Sequence, residues 1–324
     1  MKVTKRKKDN NMIKFNTLFI TLLLITSCTT FKKEWKPVAE MPTPRYNAGV
    51  CVYQDEIYIF GGSIGSGKGS PATAKVEVYN PKTNQWRKQT ELTSARTHLS
   101  ICVLDDKIYV IGGTPKEEVN PLPTVEAYDP VTNTWAKNVD MPTPKMNTFS
   151  VPYKGKIYTI GGQISDGIAI VEMYDPNNDT WKRLADMPTP RAHLIAFEVD
   201  DKIYAIGGAT RSGTKGVVEE YDPITGTWTK KADMITPRTS LSGCVINNKI
   251  VAIGGSLKPG RELVASVEVY NPKTDSWSSI KELSKSRVAL NAAMVKNKIY
   301  AIGGSVNRWP MNPVGMVEVL NFQP

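Results

Sequence analysis

Val76-Glu77-Val78-Tyr79-Asn80-Pro81-Lys82-Thr83-Asn84-Gln85-Trp86 is the stretch on which the fold is read. A short β-branched run with a carboxylate at its second position ends in Asn-Pro, a turn dipeptide, and a Trp follows at once. Val125-Glu126-Ala127-Tyr128-Asp129-Pro130 before Trp135 repeats it, as do the segments opening at Val171, Val218 and Val267. Working outward, Trp35, Trp86, Trp135, Trp181, Trp228 and Trp277 are 51, 49, 46, 47 and 49 residues apart. Each Trp is followed 10 residues later by a base (Arg45, Arg96, Lys145, Arg191, Arg238, Arg287) and 26 residues later by a Gly pair beginning at Gly61, Gly112, Gly161, Gly207, Gly254 or Gly303. Each Glu of the pattern (Glu77, Glu126, Glu172, Glu219, Glu268) precedes its Trp by 9. Only the interval from Gly pair to Glu varies, between 11 and 16, so each of six repeats has one variable loop.

Each repeat reads as four short strands. In the first repeat these are residues 46–52 after the base, 57–62 ending in the Gly pair, 76–79, and the strand at Trp86. Aromatic and β-branched enrichment between turn signals, with no sustained helical period, predicts an all-β protein. The period, the Gly pair and the fixed Tyr and Trp resemble the kelch repeat over residues 35–322. That resemblance implies a six-bladed β-propeller of four-stranded blades. Trp35 precedes the first Gly pair, and Val317-Glu318-Val319-Leu320 has no Trp after it. The strand around Trp35 is therefore expected to complete the last blade and close the ring.

The chain has 324 residues and a formal charge of +10, with 40% hydrophobic and 22% charged residues. It can bury a core, and its four Cys are too few for a disulfide-stapled scaffold. Residues 1–27 read as a targeting segment rather than fold: Lys2, Lys5, Arg6, Lys7, Lys8 and Lys14 lead into an apolar stretch too short to span a bilayer. Ile25-Thr26-Ser27-Cys28 resembles the lipobox of bacterial lipoproteins, which implies acylation of Cys28 and a membrane anchor. The expected organisation is a signal peptide over 1–27, a tether over 28–33 and a propeller over 34–324. Thr29 in place of an Asp weakly favours the outer membrane, and Met12 is a possible alternative start. Removing 1–27 takes away six bases and Asp9, leaving +5, which lowers the case for nucleic acid.

Six repeats act as internal replicates: a residue type in every blade is scaffold, and a site should lie where the symmetry breaks. The six bases and six Glu are expected to neutralise one another in the interior. Cys51, Cys102 and Cys244 occupy matching places in separate blades and are expected as free, unreactive thiols. Gly65-Ser66-Gly67-Lys68-Gly69 lacks the spacing of a phosphate loop. Positions two after the base read Asn47, His98, Asn147, His193, Ser240 and Ala289, and these hold the chain's 2 His. Facing the channel they would bind a ligand; facing a neighbouring blade they would be core.

The variable loops and the start of the first strands share one face, which kelch proteins commonly use for ligands. The loops hold eight bases, among them Lys68, Arg211, Lys215, Arg261 and Arg308, against four acids. Trp309 stands outside the repeat and could stack on a sugar or pack its loop. The main expectation is an envelope binding module, a monomer, for an anionic glycan, a sugar acid or a protein partner at this face, without metal, cofactor or nucleic acid. The alternative is a carbohydrate-active enzyme like the kelch N-acetylneuraminate mutarotases or epimerases, or a propeller polysaccharide lyase. His98, His193 and Arg211 or Arg308 would then supply acid, base and cation. The regular blades lack the large insertions of the sialate family. A copper radical oxidase is disfavoured because its ligand set does not converge here.

Overall fold

Four antiparallel strands, paired in chain order, recur six times around a central channel. The computed structural model describes residue 1 and residues 34–67, 69–116, 120–163, 167–210, 212–258, 261–308 and 310–322. The proposed leader, Cys28, the tether, Lys68, Arg211 and Trp309 lie outside the described residues. The innermost strands, Gly49–Tyr53, Ser100–Leu104, Phe149–Tyr153, Ile195–Val199, Ser242–Ile246 and Asn291–Val295, each neighbour the next, and the last neighbours the first. The sixth blade combines Asn291–Val295, Lys298–Ile302 and Val317–Asn321 with Lys36–Pro37 from the other end of the chain. Lys36 pairs with Val319 and Pro37 with Glu318, as the unpaired Trp35 requires. Closure leaves no blade face without a neighbour to cover it.

Three sets of hydrogen bonds join the blades, the outermost interrupted at Trp135, whose buried Nε1 finds no acceptor among the described residues. On the outside, Trp86 Nε1 donates to Ala39 O (2.9 Å) of the preceding blade, and Trp181, Trp228 and Trp277 repeat the bond. Trp35 donates to Lys281 O at 3.0 Å, so it behaves as the sixth blade's own Trp. Midway, the second Gly of each pair donates to the carbonyl of the next blade's base, from Gly62 to Arg96 through Gly304 to Arg45. This explains the invariance of the pair. Gly61 has φ +58°, and a Cβ there would lie 2.4 Å from the Arg96 carbonyl oxygen. The third circle lines the channel mouth and is described below.

Apolar cores fill the spaces between blades. Phe60, Val76 and Val78 of blade one pack on Ile108 and Val110 of blade two, with the pair Tyr128 and Trp135 at the edge. The same tilted Tyr and Trp contact recurs at 4.9–5.1 Å in five blades. In blade six Leu320 takes the Tyr place and packs in one cluster with Trp35.

Two strand boundaries of blade one differ from the sequence reading: the second strand is Glu56–Phe60 rather than 57–62, because Gly61 with φ 58° turns the chain. The first strand of blade one begins at Gly49 rather than residue 46, because Asn47 has φ 51° and a left-handed residue breaks the extended run. Three variable loops are not bare connections. Ala209–Thr210 with Gly213–Thr214, Ser256–Lys258 with Arg261–Leu263, and Ser305–Arg308 with Met311–Pro313 form short hairpins.

Candidate functional site at the channel mouth

Each blade enters the ring through one buried base. Arg45 meets Glu77 at 2.9 Å, Arg96 meets Glu126 at 2.5 Å, Lys145 meets Glu172 at 2.9 Å, and Arg191 meets Glu219 at 2.6 Å. Arg238 with Glu268 (3.3 Å) and Arg287 with Glu318 (2.5 Å) complete the set. All six bases are buried. A buried carboxylate is tolerable only when paired and hydrogen-bonded, and Thr43, Thr143 and Thr189 hydroxyls donate to Glu77, Glu172 and Glu219 as well. These bases therefore do not reach the mouth, and its field does not include them. They fix the backbone that presents the residue two places on.

That residue is left-handed in every blade, with φ between 51° and 55° at Asn47, His98, Asn147, His193, Ser240 and Ala289. Their backbones form a closed circle: His98 N donates to Asn47 O, Asn147 to His98, His193 to Asn147, Ser240 to His193, Ala289 to Ser240, and Asn47 to Ala289, at 2.9–3.3 Å. Asn and His are among the residues that best tolerate this conformation. The open question of direction is answered by the side chains, since all six residues line one central cavity of about 400 Å³.

The polar groups there are wired together. Asn47 Nδ2 lies 3.1 Å from His98 Nε2, and His98 Nδ1 lies 2.5 Å from Asn147 Oδ1. An amide nitrogen donates and an amide oxygen accepts, so this arrangement directs a His98 Nδ1 proton at Asn147 and the Asn47 amide at Nε2. The His193 ring meets His98 edge to face, with centroids 5.9 Å apart, although one blade lies between theirs in order. Asn147 Nδ2 also donates to Gln163 O at 3.3 Å. Among the described residues no group of three His, Cys, Asp or Glu is placed to hold a metal ion.

The loops rise on this same side. Isolated bridges join Tyr46 to Ser63, Thr97 to Thr114, Ala192 to Ala209, Thr239 to Ser256 and Val288 to Ser305, so each loop starts beside the segment that leads into the mouth. Lys215 is half-buried, with Nζ 3.0 Å from Ser212 Oγ. Arg261 and Arg308 belong to hairpin strands, and their side chains lie outside what is described. Met311 and Leu263 from two hairpins pack with Tyr46, Val288 and Ala289, which fills the blade-six side of the mouth with apolar atoms. The amide and imidazole side chains of the six mouth positions thus stand in blades one to four, with Ser240 in blade five.

The sequence reading passed over two groups in the cavity wall. Glu198 stands where the other repeats have Val52, Val103, Pro152, Val245 and Met294, and it lines the channel. The same symmetry test that selected the His would have found it, applied five positions further along the strand. Phe149 and Phe197 meet edge to face at 5.2 Å from adjacent blades. Cys51, Cys102 and Cys244 are free thiols, and burial pushes each pKa up, that of Cys244 to about 12, which leaves them protonated.

Fold and site together define a closed ring of kelch blades with a polar mouth in its axis. The Attractin/LZTR1 beta-propeller family model matches residues 16–220, and the KLHDC2/KLHL20/DRC7 Kelch-repeats domain matches residues 137–304. The chain belongs to the kelch-repeat β-propeller family. Kelch-like protein 13 of Homo sapiens is 33% identical over 93 residues, 28% of this chain and 14% of its own length. Beta-scruin of Limulus polyphemus is 33% identical over 98 residues, 28% of this chain and 10% of its own length. The chain thus spans only a small part of these curated relatives. The solved structure of YjhT superimposes with a TM-score of 0.73 at 18% identity, covering 87% of this chain and 96% of that one, which shows the same fold.

Proposed function

We propose that this protein is a binding module of a bacterial cell envelope, held by an acylated Cys28 at the outer membrane, that takes an anionic carbohydrate at the loop-side mouth of its channel. The observation that carries the reading is the interlinked polar set Asn47, His98, Asn147 and His193 at the opening of a cavity of about 400 Å³. Amide and imidazole groups match the hydroxyls of a sugar, and the volume is in the range of small-ligand sites. With the six interior bases neutralised, the cations that would meet a carboxylate are those of the loops, including Lys68, Arg211, Lys215, Arg261 and Arg308. Trp309 adds a surface on which a sugar ring can stack.

A glycan array on the protein from Thr29 onward tests this. Acidic sugars should be retained, and R211A/R308A/W309A together should abolish retention. Unchanged retention in that variant would remove the loop face from the account. The close approach of two imidazoles favours one second reading, an enzyme that moves a proton on a sugar acid. An anomerisation assay separates the two, because a binding module leaves the rate of anomer exchange unchanged.

A further inference from the structure

On the face opposite the variable loops, the blades are not alike. The second strand of blades two to six opens with a Lys, and the third ends with Asp or Asn directly beside it. In blades three and four this is an ion pair, Lys156 with Asp175 and Lys202 with Asp222. In blades five and six the acid is replaced by Asn271 and Asn321, which leaves Lys249 and Lys298 beside neutral amides. The turns after Asn271 and Asn80 add exposed Lys273 and Lys82. Among the described residues none of these four lysines has a carboxylate partner. The nearby acids are mostly engaged: Asp55 by Lys296 at 3.3 Å, Glu56 by both terminal nitrogens of Arg87, and Asp275 by the Tyr270 hydroxyl and Ala232 N–H. A groove of about 660 Å³ opens between blades six and one, with Lys82, Lys296 and Lys298 at its rim and Tyr300 and Phe322 in its wall.

The chain's entry point lies on this same face. Lys36 pairs with Val319 and Pro37 with Glu318, so the antiparallel register carries Glu34 toward Asn321, the end of blade six that also holds Lys298. The variable loop of that blade, 305–316, leaves from the other end. Between Cys28 and Glu34 there are only residues 29–33, and an extended residue spans about 3.3–3.6 Å, so the anchor can stand no more than about 20 Å from blade six.

We propose that this face, centred on Lys82, Lys249, Lys273 and Lys298, docks on an anionic lipid bilayer and holds the loop face away from it. The inference rests on the reading of Cys28 as a lipid anchor. The anchor holds the chain at the bilayer, and basic residues at an anionic surface add an orienting attraction worth about fivefold in partitioning per Lys. The short tether and the patch then define one orientation of the ring.

Among the described residues the ring is closed by the strand at Trp35 and Lys36–Pro37, so residues 34–324 without lipid serve as the test protein. The measurement is co-sedimentation with vesicles rich in phosphatidylglycerol and with vesicles of phosphatidylcholine alone. The expected result is binding to the first only, weakened by salt, with a loss of about a hundredfold or more in K82Q/K249Q/K273Q/K298Q. A control variant, K116Q/K137Q/K182Q/K230Q, has the same net charge, and circular dichroism checks that both variants fold. Equal loss in the control would show attraction by net charge alone and overturn the proposal. Absence of vesicle binding, or binding to heparin with none to vesicles, would overturn it equally. Because the test protein lacks Cys28, its result is independent of the anchor, which is read separately by mass spectrometry of Cys28.

Discussion

Lys145 is the only lysine among six buried bases, and its place is the most sensitive to pH. Burial, opposed by the charge of Glu172, lowers its pKa from 10.5 to about 8. Between those values the unfolded chain binds more protons than the folded one, so stability from this position rises with pH across that window. Below about pH 8 both states are protonated and the contribution is level. K145R stays charged, so urea titrations should show the difference between wild type and K145R rising from about pH 8 to 10.5. Removing the partner acid in E172A leaves a buried ammonium unpaired and should cost about 3–5 kcal/mol, seen as a lower urea midpoint. At the mouth, Ala289 holds φ 53° without the side chain that makes Asn or His tolerant. A289G should gain about 0.5–1 kcal/mol by removing the left-handed strain. The sequence made these six positions visible as a set but could not give their backbone. Their Asn and His content reads as ligand chemistry until φ shows that backbone tolerance accounts for part of it.

At the scale of elements, the repeat spacing carried the strands, because constant offsets from Trp to base and from Trp to Gly pair are what a blade of fixed strand lengths demands. The spacing said nothing of the hairpins at 209–214, 256–263 and 305–313, which lie in the one interval whose length varies. The dipeptide Pro259-Gly260 between Lys258 and Arg261 was a turn signal within that interval. Closure was legible from an extra Trp35 at one end and a missing Trp at the other, and it invites a direct check. Deleting residues 34–38 removes the Trp35 bond to Lys281 and the pairing with Val317–Asn321, and exposes that strand's edge. The midpoint of thermal unfolding should fall by several degrees and aggregation should increase. An unchanged midpoint would mean that the Gly304 to Arg45 bond and the inner strands close the ring alone.

For the whole molecule, the charge of +10 divides into the proposed leader over 1–27, which carries half of it, six interior pairs that cancel, and two faces that differ. The cancellation was foreseen from six bases and six Glu at constant offsets. The lysines of blades five and six were not, because their meaning depends on an Asn or Asp that only strand register places beside them. The central claim is that the loop-side mouth binds an acidic sugar, and the chain offers a reporter for it. Its 2 His are both at the mouth, so every imidazole signal in an NMR spectrum belongs to the site. The deciding measurement is a titration of the 15N-labelled protein from Thr29 onward with the acidic sugar best retained on the array, followed at the imidazole nitrogens. The account predicts saturable shifts of both His98 and His193, lost in N147A. Binding by calorimetry while both imidazoles stay unmoved would contradict it.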